Sequence, residues 1–107
     1  MTREEVQMLG FEIVSYAGDA RSTLLIALDH ATNGKFDDVD DLIQEASELL
    51  NHAHKQQMDM LAEEARGTQL PYSFTMIHGQ DHLMTAMLLH DTMKALITLM
   101  KRTSDNT

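Results

Sequence analysis

Apolar residues recur along this chain at helical spacing in three long stretches, separated by two short polar breaks. In the first stretch Val6, Leu9, Ile13, Ala17, Ala20, Leu24, Ala27, Leu28 and Ala31 return every three or four positions, the period of one helix face. Thr2 and Glu5 precede them at capping-box spacing, and Gly34 in Thr32-Asn33-Gly34-Lys35 is a stop signal. The pattern predicts helix over about 3–32. A second helix, over about 37–66, opens in the acidic cluster Asp37, Asp38, Asp40 and Asp41, which suits the positive end of a helix dipole. Its apolar positions are Val39, Leu42, Ile43, Ala46, Leu49, Leu50, Ala53, Met60 and Leu61. Pro71, inside Gly67-Thr68-Gln69-Leu70-Pro71-Tyr72-Ser73, bars continuation. A third helix then begins after Ser73 or Thr75 and covers about 74–102, ending on Lys101 and Arg102, with Thr103 to Thr107 expected to fray.

Short connections between long helices require antiparallel neighbours. The expected fold is therefore all-α, an antiparallel three-helix bundle forming one domain over 1–107, with no internal repeat. The third helix carries more apolar surface than one layer of partners can bury. Asp81, Leu88, Ala95 and Leu99 share a stripe, while Leu83, Ala86, Met87, Leu89, Met93, Leu96, Ile97 and Met100 occupy most of the remaining circumference. With two sibling helices to cover it, a further contact with another copy of the chain is expected. Met76, Met84, Met87, Met93 and Met100 read as core filler.

Composition narrows the function. The chain has 107 residues, with 8 Lys and Arg against 17 Asp and Glu, for a formal charge of −9. That balance opposes binding to nucleic acid or an anionic membrane, both of which attract cations. The absence of Cys excludes a disulfide scaffold, a thiolate metal site and a cysteine nucleophile. The opening Thr2-Arg3-Glu4-Glu5 is not a signal peptide, and no apolar run approaches the roughly 18 residues of a membrane span, so a cytoplasmic protein is expected.

Candidate chemistry concentrates in Met76-Ile77-His78-Gly79-Gln80-Asp81-His82-Leu83-Met84-Thr85. His78 and His82 lie one turn apart on one face, and Asp81 is about 60° away on the other side of His78. Three readings fit these residues. A His pair at this spacing can chelate a transition ion, although neither H-E-x-x-H nor a Glu three residues before a His is present. The histidines can be structural. Or an imidazole, largely neutral near pH 7, can be a nucleophile that accepts a phosphoryl group reversibly. His78 sits early in its helix and its side chain leans toward the N-terminus, where unpaired N–H groups favour an anion.

His78-Gly79-Gln80-Asp81-His82-Leu83-Met84-Thr85, in an acidic Cys-free chain of three helices, resembles the lactose/cellobiose-type enzyme IIA of the bacterial sugar phosphotransferase system. Glu12-Ile13-Val14 and Ala17-Gly18-Asp19-Ala20-Arg21-Ser22 also look like that family, and the resemblance spans essentially the whole chain. Gly79 departs from it, since the family usually has alanine there; glycine costs about 1 kcal/mol of helix propensity and removes no functional group.

The resemblance implies a homotrimer with the third helices near its axis. It implies that the histidine-containing phosphocarrier protein phosphorylates His78, which passes the group to a cysteine of the IIB component. IIB then supplies the group to a β-linked disaccharide or β-glucoside, of the lactose, cellobiose and chitobiose class, crossing through the IIC transporter, so membrane contact is only indirect. His82 and Gln80 are supporting candidates. Asp81 is the candidate metal ligand, one magnesium ion per trimer. Three carboxylates converging in an apolar seam are costly by desolvation and repulsion, and a hard oxygen-liganded ion offsets both. An apolar patch of Leu70, Phe74, Met76 and Ile77 is expected to give partners weak contact. His30, His52, His54 and His90 are expected at the surface or in packing. The rival reading is a non-enzymatic metal-binding or scaffolding bundle with His78, Asp81 and His82 as ligands.

Overall fold

The first helix starts on a closed capping box. Thr2 Oγ1 accepts from the Glu5 amide at 3.1 Å, and Glu5 Oε1 accepts from the Thr2 amide at 2.9 Å. These bonds, the backbone one first, hold the Glu5 carboxyl below its usual range. Their contribution to stability is therefore present above the ordinary carboxylate pKa and fades as pH falls through the lowered value. The computed structural model describes residues 1–105 and contains α1 (Arg3–Thr32), α2 (Val39–Ala65) and α3 (Phe74–Asp105), with no strand among the described residues.

Each break shows why its helices end where they do. The Asn33 amide reaches the Asp29 and His30 carbonyls, Gly34 adopts the left-handed φ of 75°, and the Lys35 amide returns to His30 O at 2.9 Å. Helix α2 starts at Val39, two residues later than the acid cluster suggests, because Asp37 and Asp38 lie in the turn. Asp38 does not cap α2 with its side chain; its Oδ1 lies 2.9 Å from His30 Nδ1 across the turn. Gly67, at φ 95°, follows the end of α2. Ser73 Oγ accepts from the Met76 amide at 3.2 Å and so caps α3. The expected fraying at the other end of α3 is corrected over Thr103–Asp105, which are helical, with Thr103 Oγ1 donating to Leu99 O at 2.9 Å. Asn106 and Thr107, also expected to fray, lie outside the described residues.

The start of α1 lies against the start of α3, Gly10 beside Met76, and the end of α1 shares a surface groove with the end of α3. Glu12 near the start of α1 pairs with Gln56 late in α2, while Asp40 at the start of α2 meets Lys101 at the end of α3. The chain thus runs up, down and up again in a body 57 Å long and 21 × 18 Å across. Helix α1 packs along both others, whereas α2 and α3 meet sparingly. Ile13, Ala17, Ala20, Leu24 and Ala27 of α1 fill the core with Val39, Ala46 and Ala53 of α2 and Leu83, Ala86 and Met93 of α3.

Glycine sets the tightest approach between helices. A Cβ added at Gly10 would stand 2.7 Å from both Met76 Cα and Met76 N, and one added at Gly79 would stand 2.8 Å from the Gly10 carbonyl oxygen. Gly79 is therefore more than a weak helix former: together with Gly10 it lets α1 and α3 touch backbone to backbone.

Two sibling helices do not cover α3. Phe74, Ile77, Met84, Leu88 and Leu99 are exposed on one stripe, Leu88 at 67% and Leu99 at 60%. Met84 is thus not core filler, unlike the buried Met93; Met76, Met87 and Met100 are partly buried against the core. By length and composition α3 could cross a membrane, yet its apolar residues divide between the core and this stripe, which Asp81 and Thr85 interrupt.

Candidate functional site

The Ser73 cap fixes the start of α3 and with it His78, five residues into the helix. Gly79, the next residue, is buried against Gly10 and Ile13, so His78 is carried on a stretch of α3 held directly to α1. The His78 side chain is exposed and that of His82 half-buried. Their ring centroids are 4.5 Å apart, with the planes at 79°, edge to face. Among the described residues neither imidazole takes part in a hydrogen bond or ion pair with the protein.

Gln80 is held differently. Its Oε1 accepts from Gln57 Nε2, and its own Nε2 lies 3.4 Å from Met76 Sδ. Gln57 is buried on α2, and its Nε2 also lies 3.5 Å from Met84 Sδ. The Gln80 amide thus ties α3 to α2 and is engaged away from the histidine pair within one chain. Asp81 is exposed on the apolar stripe, between Ile77 and Met84. Among the described residues no group of three His, Asp or Glu side chains could hold a metal ion, so the single-chain set of His78, Asp81 and His82 is not formed.

On the helix surface His78 neighbours Phe74, Thr75, Asp81 and His82, and apolar residues are exposed at and just before the start of α3. Tyr72 is 71% exposed and Phe74 74%, with Ile77 also open, while Leu70 and Met76 are partly covered. Leu70, Pro71, Tyr72, Met76 and Ile77 line a cavity of about 230 Å³ with Leu61 and Gln80, beneath the connection from α2. No Lys or Arg occurs between Phe74 and Met93.

The other histidines have packing or surface surroundings. His30 pairs with Asp38, and His52 lies 4.3 Å from the Tyr16 ring between centroids. His54 is half-buried; His90 is partly buried beside Ser47, Asn51 and Met87, with its Nδ1 3.5 Å from Asp91 Oδ1. Sequence reasoning missed Gln57 and Tyr72. Gln57 sits on the apolar face of α2, the one signal that could have found it.

An imidazole that is exposed, unpaired and firmly mounted can offer a ring nitrogen to an incoming electrophile or cation. Comparison with known proteins narrows that choice. The family model described as "PTS system, Lactose/Cellobiose specific IIA subunit" matches residues 8–101. The chain is 59% identical over 104 residues to the PTS system lactose-specific EIIA component of Staphylococcus epidermidis, covering 97% of this chain and 100% of that one. It superposes on the PTS cellobiose-specific enzyme IIA from Bacillus anthracis with a TM-score of 0.90 at 33% identity, over 100% of this chain and 96% of that one. It is also similar to the IIA(Chitobiose) of Escherichia coli, solved in complex with HPr, with a TM-score of 0.75 at 30% identity, over 97% of this chain and 98% of that one.

Proposed function

The chain belongs to the lactose/cellobiose-specific IIA family of the phosphotransferase system, and from that premise we propose that it carries a phosphoryl group on His78 between two partner proteins. The observation that carries this reading is the exposed His78 imidazole, without a protein hydrogen-bond partner among the described residues and one turn after the exposed Phe74.

The donor is the histidine-containing phosphocarrier protein, a role supported by the chitobiose relative's complex with HPr. A ring nitrogen of His78 attacks the phosphorus of the donor's phosphohistidine; the new N–P bond forms as the donor's breaks, and the donor imidazole leaves. The cysteine thiolate of IIB then takes the group from His78 by the same in-line displacement, and IIB passes it to a β-linked disaccharide or β-glucoside entering through IIC. Little covalent machinery is needed beyond position and charge. The phosphate adds about 1.5 to 2 negative charges to a chain of formal charge −9. With no cation on this part of α3, the donor and acceptor proteins supply it. The exposed apolar residues Tyr72, Phe74 and Ile77 at the start of α3 give both partners a weak, fast-exchanging contact. The protein works on the cytoplasmic side and touches the membrane only through IIC.

The exposed stripe of α3 supports a homotrimer with the three α3 helices about its axis. Asp81 would then present one carboxylate from each chain toward the axis, a hard oxygen set that fits magnesium, the ion supplying charge neutralisation there. His82, beside the acceptor ring, orients it or bonds the phosphate. Gln80 supports the site indirectly, through its bond to Gln57.

Incubation with phosphoenolpyruvate, enzyme I and the phosphocarrier protein is expected to add one phosphate per chain, read by intact mass. A chain that stays unmodified while the phosphocarrier is charged sinks the carrier reading. Native mass spectrometry is expected to show a trimer with one magnesium ion. Asp81→Leu should lose that ion and melt higher, because it replaces converging carboxylates with apolar contact. Dissociation of Asp81→Leu into folded monomers with no change in metal content would contradict the axial placement.

A further inference from the structure

The histidine pair has a second capability that phosphoryl transfer does not use. We propose that His78 and His82 together chelate a borderline transition ion, with zinc as the probe, and that the loaded pair cannot accept phosphate. A zinc ion about 2.0–2.1 Å from one nitrogen of each ring places the ring centroids about 4.5–5.2 Å apart, for N–Zn–N angles of about 90–110°. The observed separation is 4.5 Å, within that range, and the edge-to-face rings, with planes at 79°, must still turn about their side-chain torsions to aim one nitrogen of each at the ion. Residues one turn apart on a helix face hold such a pair without backbone movement.

Three further observations support the chelate. Among the described residues neither ring is tied to the protein by a hydrogen bond, so coordination breaks no existing contact of that kind. His78 is open to solvent, which leaves water to complete a tetrahedral shell. The formal charge of −9, with no Lys or Arg between Phe74 and Met93, favours a cation there. The donor atoms decide which cation. Two imidazoles suit zinc, copper or nickel, whereas magnesium prefers oxygen, and Asp81 does not join the pair in one chain. The blocking effect rests on the carrier reading, because it requires that the lone pair held by zinc be the one that attacks phosphorus; the chelate itself does not.

The unphosphorylated protein, titrated with zinc chloride and followed by the imidazole ¹H and ¹⁵N signals, is expected to show the His78 and His82 rings shifting together and saturating at one zinc per chain. His82→Gln and His78→Gln, the latter at an exposed position, should each weaken binding by about tenfold or more, since loss of an outer-shell partner alone costs that much. Prior phosphorylation should weaken it likewise. Signals that stay still in excess zinc, or that move only at His30, His52, His54 or His90, overturn the chelate. Labelling that proceeds at the same rate with zinc bound overturns the block. A chain that binds zinc at this pair yet never accepts phosphate keeps the chelate and removes the carrier reading, whereas one that labels but ignores zinc does the reverse.

Discussion

His78→Ala is expected to abolish phosphoryl labelling by the phosphocarrier while leaving helix content and assembly intact. The side chain is exposed and without a protein hydrogen bond among the described residues, so truncating it creates no cavity and strands no buried partner. The stability change should stay within about 0.5 kcal/mol. The chemical change is total, because alanine has no lone pair to form the N–P bond. Circular dichroism and intact-mass measurement on the same sample separate the two effects. If the substituted chain still gains one phosphate, another of the histidines is the acceptor.

Gly10→Ala is expected to lose more stability than alanine at any other glycine of this chain. The new carbon would fall 2.7 Å from Met76 Cα and Met76 N, and since both are backbone atoms no rotamer change relieves the overlap. Helices α1 and α3 must separate around the residues that carry His78. Overpacking of this kind costs about 1–3 kcal/mol, and the better helix propensity of alanine returns up to about 1 kcal/mol. The difference leaves a net loss of up to about 3 kcal/mol, and each kcal/mol lowers the melting temperature of a domain this size by roughly 4–8 °C. Gly18→Ala is the control. A Cβ there meets nothing within 4 Å, so it should melt at the same temperature or higher. Equal melting of the two variants would mean that the helix crossing yields more easily than its geometry implies.

Local signals carried most of the fold. Thr2 and Glu5 form the box their spacing predicts, Gly34 takes the left-handed turn, and Ser73 closes the start of α3 as Pro71 requires. The excess apolar surface of α3 was also legible, because periodicity alone shows more apolar positions than two neighbours can cover, and Leu88 and Leu99 are indeed exposed. What escaped depends on contacts between residues distant in sequence. Gly79 reads as a mild propensity defect until Gly10 is placed 69 positions earlier yet in contact with it. Gln57 carries no motif, and its bond to Gln80 exists only because α2 folds back beside α3. Asp38 belongs by composition to a helix start, but His30 lies close enough across the turn to take its carboxylate. The end of α3 was placed too early because Lys101 and Arg102 look like a terminus, while Thr103 bonding back to Leu99 supports another turn.

The Gly10–Gly79 contact also bears on traffic through the relay. With backbone against backbone, the first turns of α3 have no room to slide, so on the carrier reading His78 is offered from a fixed stretch of backbone and only its side-chain torsions can change. A donor and a recipient would then come to the same spot in turn. On that reading a spent donor that lingers would keep the recipient waiting.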